Sequence, residues 1–221
     1  MSTETISALS AEQLAALLAA RLCHDLVSPI AALGAALSVL DDDDSSDMHD
    51  DAMGLVKESA KQAQAKLEFS RLAFGAGGSA PGILDTRELQ RLTEGMFATV
   101  KPEIVWKVES PGLEKAAARL LLNMAVLGVE AAPRGGTVTV EGVDAAGGAR
   151  LQVVSEGRRA KLEDSVVKAL AGEEPEDGFD GRSVQPYYAG VIARGAAGRI
   201  TARIEGERVE FVALVAPPEE R

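Results

Sequence analysis

The first forty residues restrict the fold most, because they describe one long amphipathic helix. Ser10 followed by Gln13 matches a capping box, which predicts a helix from residue 10 to Leu40. Apolar side chains recur along this helix at heptad-like spacings. A single helical hairpin would leave such a stripe exposed, so the pattern favours a bundle of helices. The stripe consists of Leu18, Leu22, Leu26, Pro29, Ile30, Leu33, Leu37 and Leu40.

A second helix is predicted from about residue 48 to residue 74, after an acidic turn at 41–46 that we interpret as a solvated loop. The Gly/Ser-rich segment 75–82 then indicates a linker. The chain therefore divides into a helical hairpin at 1–76 and a second domain at 83–221. We expect two hairpins to pair as a dimeric four-helix bundle. The inward stripe of the second helix is predicted at Ala52, Val56, Ser59, Ala63, Leu67 and Ser70.

Helices and strands alternate in the second domain. A strongly apolar helix at 113–131 is stopped by Pro133 and a glycine pair, and the strands at 199–204 and 208–215 form a closing hairpin. This mixture predicts a two-layer α+β domain. The other predicted helices are 85–98, 161–171 and 184–193, and the other predicted strands are 103–108, 137–143 and 149–155.

Composition excludes several kinds of function. The net charge of −11 disfavours nucleic acid and anionic membranes as partners. A single cysteine, Cys23, excludes an internal disulfide framework, and neither histidine has a Cys or His at ligand spacing, so no metal site is expected. The first residues lack the basic region of a signal peptide, and the uncharged stretch 26–40 is too short and interrupted for a membrane span. These features predict a cytoplasmic protein.

His24 lies on the helix face opposite the leucine stripe. A helix advances about 100° per residue, which places His24 roughly 200° from Leu22. Its neighbours on that face are small or apolar, whereas a solvated helix face would carry Lys and Glu. The face therefore predicts either a docking surface or a surface covered by a third helix. The candidate docking residues are Leu17, Ala20, Val27 and Ala31.

The residues that follow His24 can serve its chemistry. Asp25 can orient the imidazole, and Ser28 lies one turn further along the helix. Pro29 has no N–H, so the carbonyl of Asp25 loses its normal helical partner and the helix is expected to bend. A proline is costly inside a helix, which argues that this one has a purpose.

The segment His24 to Ile30 resembles the phosphoacceptor box of two-component histidine kinases. More narrowly, R-L-C-H-D-L-V-S-P (21–29) and R-L-A-F-G-A (71–76) resemble the ChpT family of alphaproteobacterial histidine phosphotransferases. The resemblance implies a dimeric four-helix bundle followed by a degenerate, ATPase-like two-layer α/β sandwich. It also implies a relay from the receiver of a hybrid kinase, CckA, to the response regulators CtrA and CpdR, with roles in the cell cycle.

An active histidine kinase is the main alternative, and the resemblance provides a test of it. A kinase needs two asparagines on the apolar helix, but Asn123 is followed by Leu127 at the second position. It needs D-x-G-x-G after a strand, but the string from Ser155 to Arg159 keeps only Gly157. A glycine-rich phosphate loop is also missing from D-G-R-S-V-Q-P (180–186). The sequence therefore predicts that the protein neither binds ATP nor phosphorylates itself.

The resemblance implies that His24 attacks the phosphoaspartate of a receiver domain. Asp25, Ser28 and Arg21 are its candidate supports. The receiver is expected to supply Mg²⁺, so that this chain binds no cofactor. An interaction protein built on the same bundle, such as a kinase inhibitor in which His24 is incidental, is a further alternative.

Overall fold

The computed structural model describes residues 9–42, 47–75, 82–145 and 148–216. Most of the predicted acidic turn and of the Gly/Ser linker lies outside these residues, as do residues 1–8. The division into domains at 1–76 and 83–221 therefore stays a prediction at its boundary.

The N-terminal region is a hairpin of two long helices, α1 (Ala11–Leu40) and α2 (His49–Ala73). The predicted capping box is confirmed, because the Ser10 hydroxyl accepts a hydrogen bond from the N–H of Gln13 and the Gln13 side chain accepts one from the N–H of Ser10. This arrangement satisfies backbone donors that the first turn of a helix leaves free. The cap therefore fixes where α1 begins.

The face of α1 that packs inward coincides only in part with the leucine stripe, with Pro29 common to both. Its buried residues are Arg21, Pro29 and Ala36, while Ile30 and Leu37 of the stripe are exposed. Other leucines of α1 are half-buried, and Leu14 and Leu18 pack against the hydrophobic core. On α2 the predicted inward position of Leu67 is also wrong, because Leu67 is exposed and Phe69 is buried instead.

The C-terminal domain is a mixed sheet with helices on one face. In chain order it contains β1 (Ile83–Asp85), α3 (Thr86–Met96), β2 (Pro102–Val108), β3 (Gly112–Glu114), α4 (Lys115–Ala131), β4 (Gly136–Ala145), β5 (Gly148–Glu156), α5 (Asp164–Ala171), α6 (Val184–Gly195), β6 (Arg199–Glu205) and β7 (Arg208–Val215). The main sheet has the order β2-β4-β5-β7-β6, in which only β2 and β4 are parallel. The predicted α+β class is therefore confirmed.

A small ribbon formed by β1 and β3 was not predicted. Leu113, expected at the start of the long apolar helix, pairs with Leu84 in this ribbon, and the helix begins at Lys115. Strands of three residues are too short to show an alternating pattern, so the sequence carries no signal for them.

The apolar helix α4 forms the centre of the domain. Almost all of its residues from Ala117 to Gly128 are buried, and it packs against β5, β7 and α6. Gly128 allows the closest approach to the sheet, because a Cβ at this position would lie 2.5 Å from a methyl carbon of Val153. Phe69 and Ala73 of α2 join the same core, so the end of the hairpin and the domain share their packing.

Judged by length and composition alone, α1 is apolar enough and long enough to cross a membrane. The sequence prediction concerned the uncharged stretch 26–40 alone, whereas this length is reached only by α1 as a whole. However, α1 packs along α2, and its Arg21 and Asp25 form an ion pair that a lipid-facing helix would rarely carry. The contacts favour a helix of a folded hairpin.

Candidate functional site

His24 projects from the middle of α1 into solvent. Its side chain is 84% exposed, and no element of the described chain covers it. The helix wheel places it correctly, because the inward face of α1 carries Arg21, Pro29 and Ala36 instead. An incoming group can reach the ring without any rearrangement of the hairpin.

Asp25 lies beside one nitrogen of the His24 ring. The Nδ1 atom of His24 lies 3.2 Å from Oδ1 of Asp25. A carboxylate accepts hydrogen bonds, so the tautomer that forms this bond carries its proton on Nδ1 and keeps a lone pair on Nε2. The arrangement makes Nε2 the nucleophilic atom of the ring.

Arg21 holds the other oxygen of Asp25. Its Nε atom donates to Oδ2 of Asp25 at 3.0 Å, and its Nη2 atom donates to Oε1 of Glu130 at 2.7 Å. Burial alone would lower the pKa of Arg21, but the charges of Glu130 and Asp25 raise it above its ordinary value. The guanidinium is therefore a permanent cation shared between the hairpin and α4.

Lys66 satisfies the backbone group that Pro29 leaves free. Its Nζ atom donates to the carbonyl oxygen of Asp25 at 2.9 Å. Because Pro29 has no N–H, this carbonyl has no helical partner, as the sequence predicted. The charged amine comes from the facing helix α2, which the sequence gave no means to identify. Lys66 thus supplies the hydrogen bond that α1 lacks, at the residue next to His24.

The surroundings of His24 form an open apolar face. Ala20, Val27 and Ala31 are exposed, and Leu17 is half-buried. Val27 is the most prominent, with 63% of its surface accessible. No helix of the described residues lies over these side chains, so the covering third helix is not found in this part of the chain. Ser28 is exposed on the same side.

The asparagine that resembles a kinase metal ligand is engaged within the fold. Asn123 is fully buried, and its Nδ2 atom donates to the carbonyl oxygens of Ala73 and Arg119. Its Oδ1 atom accepts a hydrogen bond of 2.6 Å from Nε2 of Gln185 on α6. The amide therefore joins α2, α4 and α6, and neither its oxygen nor its nitrogen faces an open site.

Most of the other positions predicted for a degenerate nucleotide site also serve the fold. Leu127 is a core residue, and the hydroxyl of buried Ser155 donates to the carbonyl oxygen of Gly128 at 2.7 Å. Gly157 lies against the backbone of Gly135, whose oxygen would be 2.2 Å from an added Cβ. Arg159 is exposed. Leu127, Ser155 and Gly157 therefore serve the packing of the fold, whereas Arg159 does not.

The sequence missed two residues of the His24 cluster, Lys66 and Glu130. Both reach it from other helices, and neither belongs to a recognisable motif. Asn123 lies on α4, the helix whose Glu130 pairs with Arg21. Among the described residues, no group of three or more His, Cys, Asp or Glu side chains is arranged to hold a metal ion.

Comparison with known proteins gives consistent matches over most of the chain. Residues 86–208, more than half of it, match the family model of the histidine phosphotransferase C-terminal domain. The chain is 38% identical over 207 residues to the protein phosphotransferase ChpT of Brucella abortus (strain 2308), covering 93% of this chain and 97% of that protein.

Solved structures agree with these matches. A bacterial phosphotransferase superposes with a TM-score of 0.81 and 36% identity, covering 93% of this chain and 97% of that one. The nucleotide-free catalytic domain of the histidine kinase ThkA superposes with a TM-score of 0.51 and 15% identity, covering 65% of this chain and 100% of that one. The second match shows a common fold only.

The engagement of Asn123 and Ser155 predicts that MgATP does not bind. Titration calorimetry at millimolar nucleotide should give no binding heat, because the metal-ligand amide is satisfied internally and Leu127 provides no second ligand. A dissociation constant in the micromolar range would contradict this account of the C-terminal domain.

Proposed function

Because the chain belongs to the histidine phosphotransferase family, we propose that His24 is its phosphoacceptor in a phosphorelay. The protein takes a phosphoryl group from the phosphoaspartate of one receiver domain and passes it to a second receiver. The observation that carries this proposal is the exposed imidazole whose Nδ1–H is bound by Asp25, inside a phosphoacceptor-like segment.

The transfer needs little from this chain beyond position and nucleophilicity. The Nε2 lone pair of His24 attacks the phosphorus in line, an N–P bond forms, and the bond from phosphorus to the aspartate oxygen breaks. The receiver's carboxylate leaves with the electron pair, and the imidazole ring becomes cationic. Asp25, 3.2 Å from Nδ1, stabilises that cation. Transfer to the second receiver reverses these steps.

The charge on the phosphoryl group has to be neutralised by the partner. The described side chains around His24 provide no cluster of metal ligands. We therefore expect the receiver to bind the Mg²⁺ and this chain to hold no cofactor. The chain contributes Asp25, Arg21 and Ser28 as supports around the nucleophile.

The open apolar face around His24 is proposed as the docking surface for receivers. Val27 and Ala31 are exposed one and two turns beyond His24, and Ala20 lies one turn before it. Receiver domains expose an apolar patch beside the phosphorylated aspartate, so the two surfaces complement each other. The partners would be the receiver of a hybrid histidine kinase and response regulators, as in the relay from CckA to CtrA and CpdR.

The leucine stripe is proposed to form a homodimer. Ile30 and Leu37 are exposed on α1, as are Met53 and Leu67 on α2. Large apolar side chains exposed along both helices of a hairpin are typical of an interface, and a second hairpin would cover them as a four-helix bundle. Such a dimer would carry two copies of His24. We place this dimer in the cytoplasm, with no membrane as a partner.

Replacing His24 by Ala should abolish phosphoryl acceptance. The test is incubation of the purified protein with a radiolabelled, phosphorylated receiver, followed by measurement of acid-labile label. His49→Ala is the matched control, because His49 is the second of the two histidines and lies at the start of α2. If His24→Ala became labelled as fast as the unmodified protein, His24 would not be the acceptor.

Replacing Ala31 by Glu should weaken receiver binding, whereas His24→Gln should leave binding intact and eliminate transfer. Burying an unpaired carboxylate against an apolar patch costs about 1–3 kcal/mol or more, which corresponds to a loss in affinity of about ten- to a hundredfold. Ala171→Glu adds the same charge at an exposed position of α5 and serves as the control. Unchanged binding by Ala31→Glu would place the docking surface elsewhere.

Replacing Leu37 by Asp should convert a dimer into monomers. The substitution would place a charge in the centre of the apolar contact, at a cost of several kcal/mol. Light scattering measures the mass directly. A mass of one 23.0 kDa chain for the unmodified protein would refute the proposed dimer.

A further inference from the structure

Glu130 occupies a position that its own helix disfavours. It lies in the last turn of α4, where the partial negative charge of the helix C-terminus repels a carboxylate, and α4 has no basic residue in that turn. The compensating cation is Arg21 of α1, whose Nη2 atom lies 2.7 Å from Oε1 of Glu130. This contact joins residues 109 positions apart. Its location beside the His24 cluster suggests a role in that site.

We propose that Glu130 is a positioning residue for phosphotransfer, which holds Arg21 so that Asp25 keeps one oxygen for His24. The inference rests on the proposed role of His24. It assigns to the C-terminal domain, which lacks the residues for nucleotide chemistry, a direct part in orienting the acceptor.

The division of hydrogen bonds around Arg21 supports this role. Nε and Nη2 lie on one edge of a guanidinium and form the usual two-point contact with a single carboxylate. Here that edge is divided, because Nε binds Oδ2 of Asp25 and Nη2 binds Glu130. The third group, Nη1, faces the carbonyl oxygen of Gly181 at 3.4 Å. Asp25 therefore receives only one of these N–H groups.

The consequence for His24 follows from competition for Oδ1 of Asp25. Without Glu130, Nη2 of Arg21 is free to complete the two-point contact with Asp25, and Oδ1 is the oxygen it would take. Oδ1 is the atom that binds Nδ1–H of His24. Its loss would let the proton move to Nε2, and a ring with the proton on Nε2 cannot attack from that atom. The cationic ring of the phosphorylated form would also lose its counter-charge.

The burial of Arg21 restricts the hydrogen bonds that its side chain can form. The Arg21 side chain is only 10% exposed, so it has few alternative positions, and its charge requires compensation from nearby carboxylates. Glu130 itself is 43% exposed, which allows its replacement without opening the core. The contact can thus be altered with little disturbance of the packing around α4.

The test compares Glu130→Ala and Glu130→Gln with Glu163→Ala in the full chain. Glu163 is the control, because it is an exposed acid of the same domain that pairs with Lys161. Three quantities are measured: the rate of phosphoryl acceptance at saturating receiver, the receiver concentration at half-maximal rate, and the tautomer of His24 from the ¹⁵N chemical shifts of its ring.

Glu130→Ala should lower the saturated rate by roughly fivefold or more, because the nucleophile is no longer held in its reactive form. The receiver concentration at half-maximal rate should stay unchanged, and the share of the Nε2–H tautomer should rise. Glu130→Gln should be intermediate, since its amide oxygen still accepts from Nη2 but carries no charge. In an Asp25→Asn background, Glu130→Ala should add little further loss, because both changes remove the same support.

The outcomes separate the two proposals. If Glu130→Ala matches Glu163→Ala in rate and tautomer while His24→Ala abolishes labelling, the role of Glu130 is wrong and His24 remains the acceptor. If His24→Ala is still labelled, the proposed function fails, and the tautomer measurement still decides whether Glu130 controls the ring. A change confined to the half-saturating receiver concentration would overturn the positioning role in favour of docking.

If Glu130→Ala lost its fold by circular dichroism, Glu130→Gln, which keeps the side-chain volume, would decide the question by the same criteria.

Discussion

A buried guanidinium connects the two halves of this molecule. Arg21 is largely removed from water, and a charge in that position is tolerated only when it is paired and hydrogen-bonded. Its carboxylate partners come from both sides of the junction, Asp25 from α1 and Glu130 from α4. The orientation of the C-terminal domain and the environment of His24 therefore depend on the same interaction. A shift of α4 relative to α1 would change the hydrogen bonds of the residue that supports the acceptor.

The positions that resemble the nucleotide site of a kinase are engaged in packing within this fold. The position of the kinase metal ligand is held by Asn123, which binds the end of α2 and the side chain of Gln185. The position of the base reader is held by Ser155, which binds the backbone of α4. The polar groups at these positions now stabilise packing between elements. At the end of the same helix, Glu130 reaches the hairpin.

Much of the architecture was predictable because it depends on local patterns. The capping box at Ser10, the outward position of His24 and the free carbonyl opposite Pro29 all follow from residues within one or two turns of a helix. The inward face of α1 was not predictable from hydrophobicity, because its buried residues are Arg21, Pro29 and Ala36, whereas Ile30 and Leu37 are exposed. Lys66 and Glu130 could not be identified, since they are 41 and 109 positions from their partners and carry no motif. Only the three-dimensional fold places them beside His24.

The hydrogen bond from Lys66 has a mechanical consequence for the acceptor. Because Pro29 has no N–H, α1 lacks one backbone hydrogen bond. The side chain of Lys66 on α2 supplies the replacement. The turn that carries His24 is therefore held in part by a side chain of α2 and not by α1 alone. Separating the two helices of the hairpin would remove this support, so α1 would become more flexible at the turn that carries His24, the proposed phosphoacceptor.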